Sequence, residues 1–245
     1  MGQLEEHDRI QEEYRVAMLQ STNPAMTPSE YRGLYGEVVT EDVYGLRNLD
    51  FAPEVICDVG ACIGVFSRFA RELFPEAQIV ALEPDARNFY NLLLLTPESW
   101  RIEARNCALG NGPVWQCLSG GNGATQCYLS VAPGCPCASL ETNPRFRLAD
   151  VPTVTLKDLL VPWAGKRVLL KLDCEGGENA LYEESASLEA LQSVKYVAME
   201  LHNPSINNHG AEMQRGIDSI IAALCRTHTV VHRPPILQAR KHRGT

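Results

Sequence analysis

Long apolar runs are missing from this chain of 245 residues. Nothing approaches the roughly 20 consecutive apolar residues that cross a bilayer as a helix, so no membrane partner is expected. A basic surplus is missing as well. The formal net charge is −8, whereas phosphate binding calls for a basic face, so no nucleic-acid partner is expected. The one basic run, Arg240-Lys241-His242-Arg243, reads as a solvated tail. The opening residues Met1 to His7 are acidic and polar and do not read as a secretory leader. The cysteines number nine, an odd count that argues for reduced thiols and a cytoplasmic location rather than a disulfide framework. Cys135-Pro136-Cys137 is the one close pair, with no second pair or histidines nearby, so no metal is assigned to it. No internal repeat is visible.

What is present is an alternation of strand and helix patterns beginning at Pro53. That alternation predicts an α/β fold with a mostly parallel sheet flanked by helices. Strands are expected near 55–58, 78–83, 101–105, 167–173 and 194–200, with terminal strands at 227–232 and 236–238. Helices are expected over 65–74, from Pro84-Asp85 onward and over 211–224. Residues 111–152 break the pattern and predict a β-hairpin, near Val114–Leu118 and Gln126–Ser130, within a long loop. Val151–Thr155 reads as extended and Leu156–Leu160 as a helical turn. Residues 1–52 read as an N-terminal helical cap on a main domain of 53–245. Apolar positions 4, 10, 14, 17 and 18 have helical spacing. Thr27-Pro28-Ser29-Glu30 is a capping box, and 41–49 predicts a further helix. The cap would form a wall of a pocket, a packing element or the arm of a homodimer.

The richest motif is Val55-Ile56-Cys57-Asp58-Val59-Gly60-Ala61-Cys62-Ile63-Gly64. A buried strand, a glycine turn and a helix opening at Gly64 put a helix N-terminus at the carboxyl edge of the sheet, where such folds bind nucleotide-like ligands. The next strand ends on Glu83, placed to accept hydrogen bonds from ribose hydroxyls. A dinucleotide fingerprint wants G-x-G-x-x-G, but Ala61 and Cys62 fill this turn. A strand ending in Asp58 suits a cofactor with an ammonium and no phosphate, namely S-adenosylmethionine. A dehydrogenase binding NAD is the competing reading.

Polar residues follow the other strands: Asn106, Asp173, Glu175, Glu178, Glu200 and His202. Methyl transfer to a hydroxyl needs a base within hydrogen-bond reach. Asp173, Glu175 and His202 are the catalytic assignments, His202 because its ordinary pKa lies near neutrality. Lys171 points to the same face as Asp173 and is expected to pair with a carboxylate. Asp173, Glu200 and His202 are also a set that could hold a divalent ion against an acceptor, although no metal is assigned.

Taken together, Asp58 to Gly64, Glu83-Pro84, Asn106 to Gly110, Thr155-Leu156, Leu170 to Glu178 and Glu200-Leu201-His202 resemble the FkbM family of S-adenosylmethionine-dependent methyltransferases, over about residues 54–232. The resemblance implies a class I methyltransferase fold, Rossmann-like, with a seven-stranded sheet whose last strand is antiparallel. It implies cofactor contacts at Asp58, Gly60 and Glu83 and near Asn106, Cys107 and Ala108. Ala61, Gly64 and Asp173 complete the assigned cofactor set. It also implies a small-molecule acceptor, most often a hydroxyl on a sugar, polyketide or other specialised metabolite. N-methylation of a small molecule and non-catalytic binding of the cofactor are the alternatives. Two departures stand out: Cys62 replaces the commoner Asn of the turn, and the Cys- and Gly-rich stretch 117–137 is unusual.

Overall fold

In a computed structural model, residues 26–112, 114–117, 128–130, 146–174, 178, 181, 185–201 and 210–242 are described. The helix expected over 4–19 lies outside them, as do Glu175 and His202. Twelve strands occur among the described residues. The first four are β1 (Val55–Val59), β2 (Gln78–Leu82), β3 (Ile102–Arg105) and β4 (Ala108–Leu109). Next come β5 (Val114–Cys117), β6 (Tyr128–Ser130), β7 (Phe146–Ala149) and β8 (Thr153–Val154). The last are β9 (Val168–Leu172), β10 (Tyr196–Glu200), β11 (His228–Arg233) and β12 (Ile236–Lys241). The helices are α1 (Pro28–Tyr35), α2 (Val65–Leu73), α3 (Ala86–Leu95), α4 (Leu156–Leu160), α5 (Ser185–Ser193) and α6 (Gly210–Cys225).

Seven strands form the main sheet in the order β11-β12-β10-β9-β1-β2-β3. Only β12 runs against its neighbours, pairing antiparallel with both β10 and β11. The chain order reverses between β1 and β9, the switch point where open α/β sheets bind ligands. This is the class I methyltransferase topology that the sequence implies.

The period of two along each central strand sorts the core into two faces. Val55, Cys57 and Val59 face one side with Leu170, Leu172, Val197 and Met199, under Leu156, Leu159, Leu191 and Leu224 from α4, α5 and α6. Ile56 and Leu169 face the other, under Phe66, Phe69 and Ala70 of α2. Tyr31, Val38, Tyr44 and Leu46 complete that second cluster, so the segment before β1 shares a core with the sheet. Among the described residues no helix is long and apolar enough to cross a membrane.

The capping box at α1 is formed as expected: Glu30 N donates to Thr27 Oγ1 at 3.3 Å, and Thr27 N to Glu30 Oε2 at 2.7 Å. The chain then continues into one wide turn, with Glu41 N bonded to Gly36 O at 2.9 Å. The helix expected over 41–49 is corrected to a 3₁₀ turn at Leu46–Asn48. Asp42 (φ 50) and Gly45 (φ 74) adopt left-handed backbone there, which interrupts a right-handed helix. The hairpin in the insertion is present as β5 and β6. A third strand, β7, pairs with the other edge of β5 where only loop was expected.

Candidate functional site

The site is built on one row of residues across the sheet. Register aligns Ala104, Ala81, Asp58, Lys171, Ala198 and Gln238 on β3, β2, β1, β9, β10 and β12. Alanines on both sides of the central pair leave room for two charged side chains in the interior. Lys171 Nζ stands 3.3 Å from Asp58 Oδ1 and 3.5 Å from Asp173 Oδ2. It donates to the carbonyl of Gly60 at 2.7 Å. Asp58 Oδ2 accepts from Ser67 Oγ at 2.6 Å. Oδ1 has no well-formed hydrogen bond, so its contact with Lys171 is an ion pair. Burial alone would lower the Lys171 pKa, but the charges of Asp173 and then Asp58 outweigh it and hold the ammonium above its ordinary value.

The structure therefore places Asp58 beneath the glycine turn rather than on its surface. The side chain is 0% exposed. Its contacts are with Lys171 and Ser67, so the direct cofactor contact expected of it is not supported by its placement. Asp173 is the member of this network that reaches solvent, with a side chain 24% exposed. Its Oδ2 also accepts from the Tyr44 hydroxyl at 2.8 Å.

The turn itself is fixed by contacts that leave no room for a side chain at its two glycines. A Cβ on Gly60 (φ 76) would lie 1.7 Å from the Asp173 carbonyl oxygen. The exits of β1 and β9 thus touch backbone to backbone. A Cβ on Gly64 (φ 89) would lie 2.5 Å from Leu92 Cδ1, so α2 can start there only because α3 packs against bare backbone. Four of the turn amides are also committed. Gly60 N and Ala61 N donate to Leu82 O at 3.0 and 2.9 Å, and Gly64 N to Ala61 O at 2.8 Å. Cys62 N donates to Glu83 Oε2 at 2.7 Å.

Glu83 is 5% exposed and ties β2 to this turn. Its Oε1 accepts from Asp85 N at 2.8 Å. Burial pushes its carboxyl up to about 8, against the Asp85 and Cys62 amides, which pull it down. Asp85 caps α3 by accepting from Arg87 N and Asn88 N. Asn106 clamps the same loop, donating to Glu83 O at 2.8 Å and Pro84 O at 3.1 Å. Cys107 and Ala108 are buried behind it, with Ala108 in register with Thr153 of β8. Of the assigned cofactor residues, Gly60, Ala61, Glu83, Asn106 and Asp173 gather at this edge, while Gly64, Cys107 and Ala108 support it from behind.

Glu178 is 3% exposed and accepts from Cys174 N at 2.8 Å, closing the loop after β9. Glu200 ends β10 and adds to the negative potential at Tyr44. The metal arrangement read from the sequence needs His202, outside the described residues. Sequence reasoning missed Tyr44 and Ser67. Ser67 is an ordinary helix position, and Tyr44 reaches Asp173 from 129 residues away; neither carries a local signal.

The family model described as "Methyltransferase FkbM domain" matches residues 58–219, about two thirds of the chain. The chain belongs to the FkbM methyltransferase family. Among curated relatives of this FkbM member, Methyltransferase sdnD of Sordaria araneosa is 33% identical over 110 residues, which are 45% of this chain and 36% of the relative. Among solved structures, the methyltransferase FkbM of Methylobacillus flagellatus KT aligns over 84% of this chain and 47% of its own, with 17% identity and a TM-score of 0.48. A putative O-methyltransferase from Klebsiella pneumoniae aligns over 96% of this chain and 89% of its own, with 14% identity and a TM-score of 0.41. The chain thus spans well under half of the curated relative and just under half of that FkbM structure.

Proposed function

We propose that this FkbM family member binds S-adenosylmethionine and methylates a hydroxyl on a small polar metabolite in the cytoplasm. The observation that carries the cofactor reading is the commitment of the turn amides. A dinucleotide pyrophosphate is held by free amides at such a turn. Here Gly60, Ala61, Cys62 and Gly64 donate theirs within the protein, and the Asp173 carboxylate stands beside them. With those four amides occupied, the nearby carboxylate disfavours a phosphate and fits a ligand whose end near the turn is cationic.

In this reading Asp173 receives the cofactor's ammonium and Glu83 the ribose hydroxyls, with the Asn106 loop bordering the base. When bound, the cofactor supplies a methyl group on a sulfonium, ready for in-line displacement by a nucleophile. The chain's own task is to orient the acceptor and remove its proton. Asp173 Oδ2 already accepts from the Tyr44 hydroxyl and faces the Lys171 ammonium, so it is placed as an anchor for a ligand rather than as a base for the acceptor. The base role then falls to Glu175 or His202, the other two residues assigned to it from the sequence. A neutral amine acceptor would need orientation only, so loss of both bases separates O- from N-methylation.

The test is calorimetric titration with S-adenosylhomocysteine of the wild type and of Glu83→Ala. Micromolar binding, much weakened in the variant, supports the reading. Binding of NAD and indifference to S-adenosylhomocysteine would overturn it. A screen of hydroxyl and amine acceptors with labelled cofactor then addresses the substrate.

A further inference from the structure

Tyr44 stands where the segment before β1 meets the cofactor edge, and it is held on every side. Its ring packs edge-to-face on Phe66, with centroids 5.4 Å apart. The Lys171 ammonium lies 5.6 Å from the ring centroid. Its carbonyl accepts from the Tyr196 hydroxyl at 2.9 Å, and the carbonyl of Val43 accepts from Gln238 Nε2 at 2.8 Å. The next residue, Gly45 (φ 74), has no room for a side chain: a Cβ would lie 2.7 Å from the Tyr196 hydroxyl. All of this fixes a residue that is 2% exposed and whose hydroxyl bonds the solvent-reaching carboxylate Asp173 at 2.8 Å. Phenylalanine would fill the ring's space; the hydroxyl is the part that meets Asp173. Burial and then the Asp173 charge push the phenol far above its ordinary value, so the hydroxyl is always a donor.

We propose that Tyr44 is a positioning residue for the amino-acid end of the cofactor, acting by fixing the Asp173 carboxylate. The proposal rests on the S-adenosylmethionine reading above. It makes the 36–50 stretch, which precedes the matched family span of 58–219, part of the binding site. Without the hydroxyl, Asp173 Oδ2 loses its 2.8 Å hydrogen bond, and the Lys171 ammonium beside it at 3.5 Å is shared with Asp58. A carboxylate held less firmly meets more of the ordering cost when the ligand arrives.

The test uses Tyr44→Phe, Asp173→Asn and the double variant, titrated with two ligands. S-adenosylhomocysteine carries the amino-acid end; 5′-methylthioadenosine lacks it. Tyr44→Phe should weaken S-adenosylhomocysteine about tenfold, as expected for loss of a charge-assisted hydrogen bond, and leave methylthioadenosine within about twofold. In the Asp173→Asn background the same change should cost nothing further. Equal weakening of both ligands, or an undiminished cost in the Asp173→Asn background, would assign Tyr44 to packing alone and overturn the proposal. So would unchanged affinity for S-adenosylhomocysteine in Tyr44→Phe. A folded wild type that binds neither ligand overturns the cofactor reading itself, and this inference with it.

Discussion

The amide of Cys62 donates to the carboxylate of Glu83 at 2.7 Å, and Cys62 makes that bond from a left-handed backbone with φ 51. This contact adds a side-chain tie to the two backbone bonds from Gly60 and Ala61 to Leu82 that join the turn to the end of β2. Asparagine, commoner at this position by the family resemblance, tolerates that conformation better than most residues.

Substitutions at Cys62 should follow backbone preference. Cys62→Val places a β-branched residue at positive φ and should destabilise by about 2 kcal/mol, whereas Cys62→Asn should stay within about 1 kcal/mol of wild type. Urea midpoints of the two variants check this. Equal losses would mean that the thiol's packing, not the backbone, decides the position.

Two glycines should respond oppositely to the same change. Gly60→Ala drives a methyl into the Asp173 carbonyl at 1.7 Å and should cost more than about 3 kcal/mol or prevent folding. Gly33 lies in α1 with open space around its Cβ position. Gly33→Ala should stabilise by about 0.5–1 kcal/mol. Thermal melts read both.

Removing one member of the buried pair strands the other. Lys171→Met leaves Asp58 fully buried beside apolar neighbours and should cost about 3–5 kcal/mol. Adding Asp58→Asn should restore much of the loss, because no fully buried charge then remains without its counter-ion. Denaturant titrations of the single and double variants test both statements.

Glu83 sets a pH slope. Its carboxyl is pushed up from an ordinary 4.5 to about 8 by burial. Between those values the unfolded chain has released a proton that the folded chain keeps, so stability attributable to Glu83 falls as pH rises from about 4.5 to about 8 and is level above. E83Q should flatten that part of the curve. Binding should run the other way: the ionised form accepts ribose hydroxyls, so affinity for S-adenosylhomocysteine should rise through about pH 8 in the wild type and not in E83Q.

The parts legible in the sequence are those governed by local chemistry. Glycines at positive φ mark the turn at 60–64, and apolar runs mark β1, β2, β9 and β10 within a residue or two. Asp85 and Thr27 announce helix starts because a capping side chain bonds amides two or three residues on. The pairing of Lys171 with a carboxylate was readable from its place two residues before Asp173. What escaped depends on partners that the local pattern does not identify. Strand β7 forms because β5 offers it an edge, and strand formation is largely a matter of what lies alongside. The inward placement of Asp58 depends on Ser67, and the hold on Asp173 depends on Tyr44; neither partner differs locally from a surface serine or a core tyrosine.

The row that sets Asp58 beside Lys171 also has a consequence for how the sheet is assembled. β1 and β9 are buried along their whole length, so hydrophobicity gives little reason to prefer one alignment over a neighbouring one. A slip by one residue would turn the carboxylate and the ammonium to opposite faces; a slip by two would part them and leave buried Asp58 without its cation. The pair thus works as an index mark between two otherwise interchangeable ribbons. The same choice of alignment brings the Asp173 carbonyl over Gly60, so the molecule cannot find its sheet without also finding its binding edge.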